Sequence, residues 1–300
     1  MLTCELIGGL GNQLFQICTT LAFCIRANQP VWFSRIQSEA EFRPLYWNTF
    51  LDALRNYIDI GDLFAPSAIS QFREINGHHD YRDIPIETLA QGHIRLKGYF
   101  QSYLYFRTEY SRIYEWLDID RKKADCGWGE HSRPTISMHF RVGDYVDKQC
   151  YHPVLPIVYY ERALRHIVSA VPGTEHSRVY VFFEEKDIVH VQNAIFYLCQ
   201  VFREMEFVFA DTALEDWKQM MQMSQCNHHI IANSTFSWWG ATFSGRSALD
   251  RTDSSKVICY PSVWYGHQLY YIRTEDLFPP GWTQISANSP ELAEKCKCFL

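Results

Sequence analysis

The chain has 300 residues, of which 47% are hydrophobic and 21% are charged, and its formal net charge at pH 7 is −6. This length allows one large domain or two of ordinary size, and the composition excludes a disordered chain. The negative charge and the absence of a basic run argue against a nucleic-acid binder. Ten cysteines lie scattered without a CxxC pair, which indicates buried thiols in a reducing compartment and no zinc site. Aromatic residues make up 16% of the chain, and their planar faces favour a carbohydrate ligand.

The sequence gives no sign of membrane insertion. It begins on an apolar stretch without a charged leader, and its longest apolar run, 14–25, is interrupted by polar residues. We therefore expect a cytoplasmic protein without stable membrane insertion. The oligomeric state is left open.

The first half of the chain alternates between predicted strands and helices. Residues 2–7 form a predicted strand, 8–13 a glycine turn, and 14–27 a helix that is apolar on nearly all sides. Further strands are predicted at 31–33 and 93–96, helical patches at 53–57 and 67–72, a helix at 105–117, and a charged linker at 118–133.

The turn Gly8-Gly9-Leu10-Gly11-Asn12-Gln13 is a candidate ligand loop. Glycines permit positive φ and close approach of a ligand to backbone amides, and the helix start that follows adds partial positive charge. The spacing differs from GxGxxG, so a nicotinamide or flavin site is a poor match. A turn that needs glycine only for its shape is the other interpretation.

The second half predicts a parallel, Rossmann-like sheet, because strands and helices alternate regularly. Strands are predicted at 134–138, 179–183, 206–210, 229–232 and 257–260, and helices at 156–171, 188–197, 213–223 and after the segment 233–241.

Polar side chains follow the first strand of this half. His139, Arg141 and Asp144 come where the strand ends, and Gly143 breaks it. Open α/β proteins bind ligands at this edge of the sheet, and the planar, permanently charged fork of an arginine suits a diphosphate. The alternative interpretation is a surface Arg–Asp pair.

A second polar loop, 233–237, follows the predicted strand 229–232. Small hydroxyl side chains and free backbone N–H groups at a helix start form an anion cradle, and Arg141 could hold the other side of a diphosphate. Asn233-Ser234-Thr235 also matches the N-glycosylation triplet, but we do not expect modification within a ligand loop of an intracellular chain.

Several separated motifs together resemble one family. In chain order they are 8–16 (GGLGNQLFQ), 98–102 (GYFQS), 139–145 (HFRVGDY), 228–241 (HHIIANSTFSWWGA) and 276–282 (DLFPPGW). The sequence resembles the α-1,2-fucosyltransferase family, GDP-fucose-dependent enzymes of the GT-B architecture.

The resemblance implies an α/β fold with two facing Rossmann-like domains and the active site in the cleft between them. Residues 1–130 are the expected acceptor-side domain and 131–285 the expected GDP-fucose-binding domain. The tail 286–300 could pack back on the first domain.

The resemblance also implies an inverting glycosyltransferase that moves L-fucose from GDP-fucose to a glycan hydroxyl, the 2-hydroxyl of a galactose or a similar sugar, without a metal or another cofactor. The expected catalytic residues are Arg141, Asp144 and His139. The expected donor-binding residues are Gly9, Gly11, Asn12, Gln13, His139, Arg141, Glu185, Asn233, Ser234, Thr235 and Phe236. Glu184-Glu185 departs from the Ser-Asp-Asp type of turn that the family more often has, which could alter nucleotide preference.

The proton acceptor is left open at this point. Asp144 could act as the base, or it could brace Arg141 or cap the loop, and His139 is a second candidate. Other functions to be distinguished are a non-catalytic sugar or nucleotide binder, a transferase of another nucleotide sugar, and a dinucleotide-dependent oxidoreductase.

Overall fold

The computed structural model describes residues 1–34, 44–59, 69–74, 80–89, 92–129, 131–250, 256–290 and 292, which fall into two compact units. Unit 1 comprises Met1–Lys122, Gly245–Asp250 and Ile272–Pro279, and unit 2 comprises Lys123–Ser244, Arg251–Tyr271 and Pro280–Leu300. The sequence placed the boundary after residue 130 and assigned both later segments of unit 1 to the second domain. In the predicted tail, Leu292 is buried in the core of unit 2, whereas 291 and 293–300 lie outside the described residues.

Unit 1 is built on a small parallel sheet. The strands of this part of the chain are β1 (Leu2–Cys4), β2 (Phe33–Ser34), β3 (Ile58–Asp59), β4 (Ile69–Arg73) and β5 (His93–Lys97). The sheet has the order β1-β5-β4, and β2 pairs with β3 separately. The helices are α1 (Leu10–Ala27), α2 (Ile86–Leu89), α3 (Tyr110–Trp116) and α4 (Ile119–Asp125). Most of α1 is buried, which explains why it is apolar on nearly all sides.

Three predictions for this part of the chain are corrected. The helical patch at 67–72 is wrong where the structure describes it, because 69–73 form β4 in parallel register with β5. Pairing with a neighbouring strand outweighs a weak helical pattern. The helix predicted at 105–117 begins only at Tyr110. The predicted linker 118–133 contains α4, whose buried Lys122 pairs with Asp52 at 2.9 Å.

Unit 2 contains a six-stranded parallel sheet. Its strands are β6 (Thr135–His139), β7 (Arg178–Phe182), β8 (Glu206–Phe209), β9 (His228–Ile230), β10 (Ile258–Pro261) and β11 (Thr283–Ile285). Its helices are α5 (Ile157–Ala170), α6 (Ile188–Val201), α7 (Asp216–Ser224) and α8 (Thr235–Thr242). Of the strands of this sheet, only β11 was not predicted, since Thr-Gln-Ile contains no apolar run. The α/β class with parallel sheets is confirmed.

The strand order positions the site. The sheet runs β8-β7-β6-β9-β10-β11, which is the Rossmann order with the first and fourth strands side by side. The strand order reverses between β6 and β9, so the carboxyl ends of these two strands form the switch point at which open α/β sheets bind ligands. The segments that follow β6 and β9 are the two polar loops predicted to bind an anion.

The core of unit 2 covers both faces of the sheet. Val179 and Val181 of β7 belong to the larger cluster, with residues of α5 and α6. Tyr180 and Phe182 point to the other face, where Met223 of α7 packs against them. Burial on both faces explains why the central strands are continuous apolar runs. In the described part of the chain, no helix combines the length and apolarity that crossing a membrane requires.

Candidate functional site at the carboxyl edge of the second sheet

The loops after β6 and β9 are direct neighbours. Met138 pairs with Ile230 in the sheet, and the Tyr145 hydroxyl donates to the backbone oxygen of Asn233 at 3.2 Å. The Tyr145 ring also stacks on His152, with 5.0 Å between ring centroids. The structure thus brings together the segments 139–145 and 233–237, as the sequence predicted for them.

Arg141 lies in a network of alternating charges. Its guanidinium donates to Asp144 Oδ1 at 2.6 Å and to Glu184 Oε1, and it lies 5.1 Å from the Tyr145 ring centroid. Lys148 pairs with Asp144 at 3.3 Å, and Lys186 pairs with Glu184 at 2.7 Å. Only a fifth of the arginine side chain is exposed. The guanidinium is thus bound by two carboxylates, each of which is also paired with a lysine.

Both carboxylates of this cluster are held ionised. Burial alone would raise the pKa of Asp144, but Arg141 and Lys148 outweigh it and lower that pKa below its ordinary value. Burial likewise opposes ionisation of Glu184, and Lys186 and Arg141 more than compensate, so its pKa is also lowered. A diphosphate that binds Arg141 must therefore compete with two anions for the guanidinium.

The turn after β7 completes the cluster. Glu184 contacts Arg141, whereas Glu185, the predicted donor-binding residue, is exposed. Asp187 accepts from the backbone N–H of Gly143 at 2.9 Å and so holds the loop after β6 to this turn. Gly143 has φ of +35°, and a Cβ there would lie 3.3 Å from Lys186 Nζ. The sequence analysis did not predict the contact of Glu184 with Arg141, although both glutamates follow a strand adjacent to β6.

His139 is a buried, neutral imidazole. It is 7% exposed, and its ring centroid lies 5.6 Å from that of Phe236. Burial, and secondarily the charge of Arg141, lowers the pKa of His139 to about 3. Its Nδ1 has no hydrogen-bond partner among the described residues. The ring can therefore offer a hydrogen bond to a ligand but is a weak base.

The segment 233–236 forms a capped helix start. The Ser234 hydroxyl accepts from the backbone N–H of Phe236 at 3.3 Å, and Thr235 begins α8. Asn233 is 2% exposed, and its amide donates to the backbone oxygens of Pro153 and Trp264 at 2.9 and 3.2 Å. Its Oδ1 has no hydrogen-bond partner among the described residues. The positive end of the α8 dipole therefore lies at the same sheet edge as Arg141.

The glycine turn lies in unit 1 and is tightly braced. Gly8 has φ of +82°, and Gly9 is the N-cap of α1, which begins four residues earlier than predicted. The Gln13 amide donates to the backbone oxygens of Gly8 and Pro44 at 2.9 Å each. Asn12 Oδ1 accepts from Gln101 at 2.9 Å. The first two motifs of the family resemblance thus contact each other, through Asn12, which was predicted to bind the donor, and Gln101. Gly11 is buried inside α1.

One carboxylate pair escaped the sequence analysis. Asp118-Ile119-Asp120 has the Asp-x-Asp spacing that many metal-dependent sugar-nucleotide enzymes use. In the structure Asp118 pairs with Arg121, whereas Asp120 accepts from the Tyr114 hydroxyl at 2.8 Å and pairs with Arg246 at 2.8 Å. Both carboxylates are thus engaged in ion pairs that stabilise unit 1 and the start of α4.

A parallel sheet of Rossmann order, with an arginine and a helix N-terminus at its switch point, is the arrangement at which many α/β proteins bind phosphate groups. Residues 1–286 match the model of Glycosyl transferase family 11, and the chain belongs to this family of glycosyltransferases. The family resemblance stated from the motifs is confirmed.

Two curated relatives come from Escherichia coli. The O-antigen biosynthesis glycosyltransferase WbnK is 32% identical over 152 residues, which are 48% of this chain and 42% of that protein. The chain therefore spans less than half the length of that relative. An alpha-1,2-colitosyltransferase is 25% identical over 94% of this chain and 97% of its own length. The crystal structure of POFUT1 in complex with GDP-fucose has a TM-score of 0.43 and 10% identity, over 86% of this chain and 97% of that one.

Proposed function

We propose that this protein transfers L-fucose from GDP-fucose to a hydroxyl of a glycan acceptor, with inversion at the anomeric carbon and without a metal. The observation that carries the proposal is Arg141 at the carboxyl end of β6, beside the strand whose loop begins α8. Membership of a glycosyltransferase family and a full-length relative named for a 1,2-transfer support the same conclusion.

In the proposed reaction, the acceptor oxygen forms a bond to the anomeric carbon while the bond to the β-phosphate oxygen breaks. The electrons of that bond leave with GDP, and the transition state is oxocarbenium-like. Negative charge grows on the β-phosphate, so a fixed cation stabilises the transition state more than the ground state. Arg141 is that cation, and the N–H groups at the start of α8 also stabilise the negative charge on the β-phosphate.

The other site residues hold this arrangement. Asp144 and Glu184 orient the Arg141 guanidinium in the free protein. When the diphosphate binds, it takes the place of one of these carboxylates on the guanidinium. His139, neutral at any working pH, offers its unpartnered Nδ1 to the donor. Asn233 fixes the loop before α8 through two backbone oxygens, and Ser234 and Thr235 contact the phosphate.

The test is incubation with GDP-fucose and an array of galactose-terminated acceptors in the presence of EDTA, with the product linkage determined by NMR. We expect release of GDP and a new α-1,2 linkage at an undiminished rate in EDTA. Binding of GDP-fucose without GDP release would instead identify a non-catalytic binder. A rate that depends on a divalent cation would contradict the metal-free mechanism.

A second candidate donor has a specific observation in its favour. The relative that matches this chain over nearly its full length is named a colitosyltransferase. The same site could therefore take another GDP-linked deoxy sugar. Thermal-shift measurements with GDP-fucose and GDP-colitose decide between them, because the true donor should raise Tm more than GDP alone does.

A further inference from the structure

Exposed tyrosines lie in two segments of unit 2 that follow strands ending at the carboxyl edge of its sheet. Tyr151 belongs to the segment after β6, and Tyr270 and Tyr271 belong to the segment after β10. Their exposed fractions are 49%, 86% and 60%. The rings of Tyr270 and Tyr271 lie 6.0 Å apart between centroids, at an angle of 85°. Large rings that remain on the surface beside one another indicate a binding surface, whereas isolated ones do not.

The two segments are fixed to each other through their backbones. The N–H of Gly266 donates to the oxygen of Tyr151 at 2.8 Å, and the N–H of Gln268 donates to the oxygen of Cys150 at 3.0 Å. A Cβ on Gly266 would overlap the backbone oxygen of Cys150, so only glycine allows this close approach. The exposed tyrosines of the two segments are thus carried by one continuous surface.

A row of rings connects this surface to Arg141. The Arg141 guanidinium lies 5.1 Å from the centroid of the Tyr145 ring, and that ring stacks on His152 at 5.0 Å. The His152 ring in turn lies 5.6 Å from that of Tyr265, which directly precedes Gly266. Every contact in this row is between residues of unit 2. The surface that carries the tyrosines is therefore continuous with the site proposed for the diphosphate.

The buried side chain of Asn233 stabilises the same arrangement. Its amide donates to the backbone oxygen of Pro153 at 2.9 Å and to that of Trp264 at 3.2 Å. Pro153 lies after β6, Asn233 after β9 and Trp264 after β10, and these three strands are adjacent in the sheet. One side chain thus connects the segments that follow all three strands.

The composition of the segment after β10 indicates which ligand this surface suits. Residues 262–271 (SVWYGHQLYY) contain no lysine, arginine, aspartate or glutamate. Neither an anionic ligand nor a membrane surface therefore finds basic residues in this segment. A tyrosine offers an apolar ring face and a hydroxyl at its edge, and a pyranose likewise has an apolar C–H face surrounded by hydroxyls. The surface thus matches an uncharged oligosaccharide.

We propose that Tyr151, Tyr265, Tyr270 and Tyr271 form a tyrosine platform that binds the acceptor glycan, an inference that rests on the sugar transfer proposed above. Two rings separate the platform from Arg141, so it binds sugars of the acceptor other than the one that reacts. Its tyrosines position the acceptor and take no part in bond making. The sequence analysis expected the first domain to bind the acceptor, and the tyrosine platform adds acceptor contacts in unit 2.

The kinetic test uses two acceptors, methyl β-galactoside and a galactose-terminated tetrasaccharide. The variants are Tyr151→Ala and the double replacement of Tyr270 and Tyr271 by alanine. Phe196→Ala is the matched control, because Phe196 is an aromatic residue of α6 with an exposed fraction of 71%. We expect KM for the tetrasaccharide to rise by about tenfold or more in the platform variants, through the loss of ring contacts. KM for methyl β-galactoside and for the sugar nucleotide should not change, and Phe196→Ala should behave as wild type.

Replacement of Tyr270 and Tyr271 by phenylalanine separates binding from structure. These variants keep the ring face and should keep most of the affinity for the tetrasaccharide. All the replaced rings are exposed, so Tm should match that of the wild type in every variant. A rise in KM that is equal for both acceptors would contradict the platform, because it would place these tyrosines at the reacting sugar.

Saturation-transfer difference NMR measures binding of the tetrasaccharide without any turnover. The signal should weaken in the two alanine variants and persist in Phe196→Ala. Unchanged signal and unchanged tetrasaccharide KM in the alanine variants would overturn the tyrosine platform alone. If the wild-type protein binds the tetrasaccharide through these tyrosines but releases no GDP, the proposed transfer fails and the platform stands as a glycan-binding site. A wild-type protein that neither transfers sugar nor binds the tetrasaccharide would refute both.

Discussion

Arg141 is already paired with two carboxylates before any ligand binds. This pairing fixes the direction of its planar fork and keeps its charge in a mostly buried position. A diphosphate carries more charge than either carboxylate, so it can compete with them for the guanidinium. In the proposed complex, the free energy of donor binding includes the cost of breaking at least one of these ion pairs.

Replacing Arg141 tests its role as the counter-charge of the leaving group. We expect Arg141→Ala to lower kcat by about a hundredfold or more, as for other losses of an electrostatic stabiliser. Arg141→Lys should not restore the rate, because an ammonium cannot reproduce the fork. Arg165→Ala, which removes an exposed arginine paired with Glu161, is the control. Near-normal turnover in Arg141→Ala would show that Arg141 is not the counter-charge of the leaving group.

His139 should couple stability to pH. Its pKa is about 3 in the folded protein, below its ordinary value of 6.5, so below pH 6.5 the unfolded chain binds the proton more readily. The contribution of His139 to stability is thus present above pH 6.5 and is lost as the pH falls toward 3. Urea unfolding of wild type and His139→Gln at several pH values measures this. The wild type should lose more stability than the variant on acidification, and parallel curves would contradict the assignment.

At the scale of elements, the loops that follow β5 and β6 restrict the residue type at single positions more than the strands do. Each contains a glycine in the left-handed region, and each of these glycines is crowded by a side chain from a neighbouring loop. These loops explain why the motifs 98–102 and 139–145 contain glycine at fixed positions. The strands themselves differ, because β6 is buried at every residue whereas β5 alternates between buried and partly exposed residues.

Gly98→Ala tests the loop after β5, in which the backbone N–H groups of Tyr99 and Phe100 donate to the Glu74 carboxylate. A Cβ at this φ is strained and overlaps the Glu74 side chain, so we expect a loss of about 1–3 kcal/mol in the free energy of unfolding. Gly245→Ala is the control, since its φ is not in the left-handed region and a Cβ there meets no atom within 4 Å. Chemical denaturation compares the two. Equal stability of both variants would show that the loop adapts freely.

The sequence predicted the elements of unit 2 better than those of unit 1. Buried parallel strands such as β7 are continuous apolar runs, and their ends can be located from the polar residues that follow. β4 has three exposed and two partly exposed residues and depends on pairing with β5, so its pattern was taken for a helix. β11 has one buried residue and no apolar run, so it was not predicted.

At the scale of the whole chain, the family match covers 1–286, and the separated motifs lie mainly at the carboxyl ends of strands. Residue types and strand ends were enough to predict that Arg141 and Asp144 follow a strand and that a helix begins in the segment 233–237. The contacts of Glu184 and Glu74 could not be predicted, because their partners lie 43 and 25 or 26 residues away in sequence.

A crystal structure of the protein soaked with GDP tests the central claim most directly. We predict pyrophosphate oxygens about 3 Å from the Arg141 guanidinium and from N–H groups at the start of α8, with Asp144 or Glu184 moved off the arginine. Pyrophosphate bound away from residue 141, or bridged to the protein by a divalent cation, would contradict the account.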